Sequence, residues 1–112
     1  VSRDPDVVAR YEQDPLVNHG RMSARMLREL FAGMALVQSS AAAISQPMLI
    51  MHGEGDVMTA PSGSRFLHEA ISSPDKTLKI YPGLYHEIFN EPERLEVFAD
   101  VLQWCEQRMP AA

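Results

Sequence analysis

Two short stretches hold the residues best able to do chemistry. The first, "LIMHGEGDVMTAP" at residues 49–61, runs from apolar residues into a glycine-rich turn and presents Asp56; the second, "KIYPGLYHEIFNE" at residues 79–91, does the same for His86. A histidine in a turn is by default a surface residue. An acid thirty residues earlier (86 − 56) in a matching setting changes that reading. A carboxylate that bonds one imidazole nitrogen fixes the tautomer and stabilises the imidazolium, while the other nitrogen takes a proton from a nucleophile. Asp56 and His86 are therefore read as the acid and base of a nucleophilic triad.

The elements around them must bring the two loops together. Met48 to His52 is an apolar run after Pro47, apolar on both faces as in the middle of a parallel sheet. "KTLKIY" reads as a second strand, turned by Pro82-Gly83. Between them, Phe66, Leu67, Ala70 and Ile71 predict a short helix to about Ser72, with Thr59 or Ser62 as its N-cap. Upstream, "RDPDVVARYEQDPLVNHG" reads as a loop with a short helix. From Ser23, the residues Met26, Leu27, Leu30, Phe31, Met34 and Val37 recur at helical spacing. Downstream, Leu95, Phe98, Val101, Leu102, Cys105 and Met109 mark a last helix with Pro92 in its first turn, and Trp104 and Cys105 are expected on its packing face. This order of helices and strands predicts an α/β fold with parallel strands joined by right-handed crossovers. In such sheets functional loops lie past the carboxyl ends of the strands, so adjacent strands would bring Asp56 and His86 to one edge.

Composition narrows the class. The chain has 112 residues, 46% of them hydrophobic and 22% charged, which fits one soluble globular domain at most. A formal net charge of −5 and a pI near 5.2, with no Lys/Arg cluster, argue against nucleic acid or an anionic membrane surface as partner. Cys105 stands alone, which rules out an internal disulfide and makes a reducing, cytoplasmic setting, at most peripheral to a membrane, the simplest expectation. No apolar run reaches the roughly 20 residues of a transmembrane helix. The chain begins with Val1, so an upstream segment is expected. The four histidines lack metal-site spacing, and Gly53-x-Gly55 lacks the rest of a dinucleotide fingerprint; no metal and no cofactor are expected.

"LIMHGEGDVMTAP" resembles the acid loop, and "DKTLKIYPGLYHEIFNEP" the histidine loop, of α/β-hydrolases of the monoacylglycerol lipase and lysophospholipase group, which are serine aminopeptidase S33-like. "DPLVNHGRMSARMLRELF" is similar to the cap over the acyl pocket in that group. The resemblance implies the C-terminal part of an α/β-hydrolase fold preceded by part of a helical cap: residues 1–45 as partial cap and 46–112 as a βαβα part of the core. It implies cleavage of carboxylic esters, monoacylglycerols or lysophospholipids, with Asp56 as orienting acid and His86 as general base. Met22, Met26 and Met34 would then suit either a flexible acyl pocket or core packing.

One departure is serious. A nucleophile elbow G-x-S-x-G needs glycines four apart around a serine, and the six glycines, at 20, 33, 53, 55, 63 and 83, include no such pair. Ser62 and Ser64 lie near the acid loop but read as helix caps. The chain is therefore expected to be a fragment, inactive alone, whose partners are an acyl-ester lipid substrate and either the hydrolase's N-terminal half or a second copy. Two alternatives stay open: a catalytically inactive interaction or regulatory module, and a hydrolase acting on epoxide, haloalkane or peptide substrates.

Overall fold

The computed structural model describes residues 1–109; the last three residues of the expected 46–112 unit lie outside the described residues. Two strands, β1 (Met48–Gly53) and β2 (Lys76–Tyr81), pair in parallel, in register from Met48 opposite Lys76 to Gly53 opposite Tyr81. Four helices accompany them: α1 (Pro5–Gln13), α2 (Ala24–Ser40), α3 (Pro61–Ala70) and α4 (Arg94–Glu106). Among the described residues the sheet has these two strands, so each strand keeps one edge without a ladder partner.

Side chains alternate across a strand, and two apolar clusters form accordingly. On one face Ile50 meets Ala41 and Ile71, with Ile44, Met48, Leu67, Ala70 and Leu78 packed against them. On the other, Met51 packs against Tyr81, Leu84, Ile88 and Val97. Polar contacts fix α4 to the sheet: Tyr81 donates to Asp100 at 2.7 Å, and Arg108 Nε donates to Asp75 at 2.7 Å while its guanidinium stacks 3.9 Å over Trp104.

Several expectations change in detail. Ser23, where the helical period begins, caps α2 by accepting from Met26 N at 3.1 Å, and the helix runs to Ser40. Its apolar stripe, however, is buried nowhere: Met26, Leu30, Phe31, Met34 and Val37 are all about half exposed or more, and so is Met22. Core packing within this chain is thus not what the three methionines do. In α4 the residue wholly buried is Val97, whereas Leu95, Phe98 and Leu102 are exposed and Trp104 and Cys105 half-buried; Met109, expected in this helix, lies beyond its end at Glu106. Periodicity finds a helix's apolar face but not which neighbour covers it. Pro92 precedes α4, whose N-cap is Glu93. Helix α3 ends at Ala70, two residues short of Ser72, and its N-cap is Ala60, followed by Pro61 at the first helical position, with no side-chain cap. Neither Thr59 nor Ser62 caps it, because Thr59 bonds Asp56 and stands before the N-cap, and Ser62 is already the second residue of the helix.

Candidate active site

The two loops are held together by their backbones. Glu54 N donates to Tyr81 O and Gly55 N to Leu84 O, both at 2.9 Å. Gly53 permits this approach: a Cβ there would lie 2.1 Å from Tyr85 O and 2.4 Å from Leu84 O. Gly83, at φ +77°, turns the chain after β2 into the histidine loop, a left-handed conformation that glycine adopts without strain. Behind that loop lies Glu91, wholly buried. Its carboxylate accepts from Tyr85 N at 2.9 Å, next to His86, and from Arg3 N and Arg3 Nε at 3.2 and 3.0 Å. Glu87 N also donates to Val1 O at 3.0 Å, and Ser2 Oγ to Asn90 O at 2.9 Å. The first residues of the chain thus strap the histidine loop from behind.

Asp56 and His86 face each other across this junction, His86 Nδ1 lying 2.8 Å from Asp56 Oδ2. The carboxylate can only accept, so Nδ1 carries the hydrogen, and in the neutral ring Nε2 holds the lone pair. Among the described residues Nε2 has no hydrogen-bond partner, and the His86 side chain is 36% exposed against 2% for Asp56. Three more donors bond the acid, and one imidazole lies close by. Met58 N and Thr59 N donate to Oδ1 at 2.8 and 3.1 Å, while Thr59 Oγ1 donates to Oδ2 at 2.7 Å and His52 Nε2 lies 3.1 Å from Oδ2. Burial pushes the Asp56 carboxyl up, but the bonds from His86, from the Thr59 hydroxyl and from the two backbone N–H groups outweigh it and hold the acid well below the usual carboxylate range. Asp56 is an anion at neutral pH.

A cleft of about 400 Å³ opens over the pair, with Met51, Ile88 and Phe89 supplying apolar wall and Thr59 and Asn90 polar rim. Ser62, which reads in the sequence as a cap, is exposed, and Ser64 Oγ lies 2.7 Å from His52 Nδ1. Among the described residues no serine hydroxyl bonds His86, and no cluster of His, Cys, Asp and Glu is arranged to hold a metal ion. His52, Thr59 and Ser64 carry no catalytic assignment from the sequence. The signal available for His52 was its place four residues before Asp56, at the end of β1, where a side chain points at the same loop.

A second apolar groove, of about 500 Å³, lies where Leu30, Met34 and Val37 of α2 face Phe66 and Leu67 of α3. Among the described residues no helix is long and apolar enough to cross a membrane.

The arrangement can be set beside known proteins. Residues 1–93 match the family described as "Serine aminopeptidase, S33". Over 104 residues the chain is 47% identical to the monoacylglycerol lipase of Mycolicibacterium smegmatis, covering 93% of this chain and 37% of that protein. The crystal structure of Paleococcus ferrophilus monoacylglycerol lipase superposes with a TM-score of 0.83 at 40% identity, over 91% of this chain and 40% of that one. A soluble variant of Saccharomyces cerevisiae monoglyceride lipase, solved with a substrate analog, superposes with a TM-score of 0.81 at 28% identity, over 97% and 41%. The chain therefore spans about two fifths of the length of these relatives.

Proposed function

The chain belongs to the serine aminopeptidase S33 family of α/β-hydrolases, and from that premise we propose that it supplies the acid and the base of a serine hydrolase cleaving carboxylic esters. Asp56 is the orienting acid and His86 the general base. The observation that carries this reading is the 2.8 Å bond from His86 Nδ1 to a buried, multiply bonded carboxylate, with Nε2 left free toward a cleft. That is the polarity a base needs: Nε2 removes the proton from a serine hydroxyl, the resulting imidazolium is stabilised by Asp56, and the proton then passes to the leaving alcohol.

The serine and the oxyanion donors come from a segment outside these 112 residues, the N-terminal half of the same hydrolase. Residues 46–112 act as the C-terminal βαβα part of its core, and residues 1–45 as part of its cap. The substrate is a monoacylglycerol or lysophospholipid. In support, the relatives named as monoacylglycerol lipases match nearly the whole chain, and α2 presents Met26, Met34 and Leu30 half-exposed, the soft apolar surface that an acyl chain would need. The setting is cytoplasmic, with peripheral access to lipid.

The test is hydrolysis of a monoacylglycerol, a lysophospholipid, a short-chain ester and an aminoacyl peptide by the full polypeptide, by its Asp56→Asn and His86→Ala variants and by residues 1–112 alone. Asp56→Asn should lower turnover by about 10⁴ through loss of the correct tautomer. His86→Ala should cost at least as much, and residues 1–112 alone should be inert. Full turnover in Asp56→Asn, or activity of the 112 residues alone, would overturn the assignment, and a preference for the peptide would overturn the substrate class.

A further inference from the structure

One constellation is not accounted for by the acid and base: a second imidazole beside the same carboxylate, bonded to the loop that carries it. His52 sits at the end of β1 with its side chain 15% exposed. Its Nε2 lies between two acceptors, Thr59 O at 3.0 Å and Asp56 Oδ2 at 3.1 Å. Neither has a hydrogen to give when Asp56 is ionised, so Nε2 must carry one. In the neutral ring Nδ1 is then the acceptor, and the hydroxyl 2.7 Å from it, Ser64 Oγ, must donate. The tautomer of His52 is thus set by its surroundings, and it is the opposite of that of His86.

We propose that His52, oriented by Ser64, is a positioning residue that holds the acid loop, through Thr59 O, so that Asp56 faces His86. The proposal rests on reading Asp56 and His86 as acid and base. Oδ2 takes two donors, from Thr59 Oγ1 and His86 Nδ1, and His52 ties the Thr59 end of that loop back to β1 by bonding Thr59 O. When His86 accepts a proton it becomes an imidazolium 2.8 Å from Oδ2. The stabilisation survives only while the carboxylate stays charged and does not turn. By bonding Thr59 O, His52 fixes the residue whose N–H and hydroxyl both donate to Asp56, and so keeps those donors on the carboxylate. Because Ser64 lies on α3 and Thr59 O on the acid loop, the same ring also ties strand, loop and helix together at the acid.

The experiment uses the full polypeptide. In the wild type, ¹⁵N shifts of labelled histidine should show His52 with hydrogen on Nε2 and a bare Nδ1, and His86 with the reverse. His52→Ala should lower kcat roughly five-fold, the scale of one net hydrogen bond to a backbone carbonyl, with KM nearly unchanged. His52→Gln, whose amide N–H can donate to Thr59 O, should restore most of kcat, and Ser64→Ala should shift the His52 tautomer. A wild-type His52 protonated on Nδ1, an alanine variant with undiminished kcat, or a glutamine variant no better than alanine would each overturn the proposal. Since the tautomer is read without turnover, a wild type inactive on every ester would overturn the enzyme reading alone. In that case a His86 Nδ1 proton resonance unmoved by His52→Ala would overturn this one.

Discussion

Gly53→Ala is the substitution whose effect can be worked most directly from the coordinates. The added methyl carbon would stand 2.1 Å from Tyr85 O and 2.4 Å from Leu84 O, both backbone atoms with no rotamer in which to retreat. An ordinary carbon–oxygen contact is about 3.5 Å, so one loop must withdraw by more than about an ångström. That motion stretches the 2.9 Å bond from Gly55 N to Leu84 O and the 2.8 Å bond between His86 and Asp56, which span the same junction. Overpacking of this kind costs about 1–3 kcal/mol, here at the upper end because backbone must move. Misplacement of a catalytic group by about an ångström costs on the order of 100-fold in rate. Gly53→Ala in the full polypeptide should therefore unfold at lower urea, by about 3 kcal/mol, and lose roughly 100-fold in kcat while keeping its circular dichroism. Gly63→Ala serves as control, since nothing lies within 4 Å of the Cβ it would add and it sits inside α3. It should be neutral or stabilising by up to about 1 kcal/mol. A Gly53→Ala protein with wild-type stability and turnover would refute the claim that loop approach at this glycine sets the geometry of the pair.

Glu91→Ala should destabilise by about 3 kcal/mol, because it leaves the Tyr85 and Arg3 backbone N–H groups without their acceptor and opens a void where a wholly buried side chain stood. Urea titration measures this, and a loss below about 1 kcal/mol would remove Glu91 as the anchor of the histidine loop. The pH dependence of stability has a definite sign. Asp56 is held below its ordinary range in the folded state, so its contribution is complete above the unfolded value near 4 and is lost as pH falls below that. Urea midpoints from about pH 6 to about pH 3 should fall more steeply in the wild type than in Asp56→Asn, and parallel curves would contradict it.

The local grammar of the chain lies in its sequence. "KTLKIY" is β2 to the residue, Ser23 caps α2, and the glycine-rich turns after both strands are where the loops occur. These features depend on neighbours within four or five residues, through alternation, capping and φ preference, and a linear reading has access to all of them. The placing of Asp56 and His86 on one sheet edge was also legible, since parallel strands joined through a helix leave their carboxyl ends on the same side. Tertiary structure alone decided the rest. Thr59 reads as a helix cap and instead bonds Asp56; Ser64 reads the same way and instead bonds His52. A hydroxyl can serve either partner equally well, and which one it serves depends on where the strand delivers the competitor. Arg3 and Glu91, 88 residues apart, meet behind the histidine loop although nothing near either residue announces the other. The stripe on α2 shows the same limit from the apolar side. Its period specifies a helix with one face to bury, but burial is a property of two surfaces, and the sequence of one helix describes only its own.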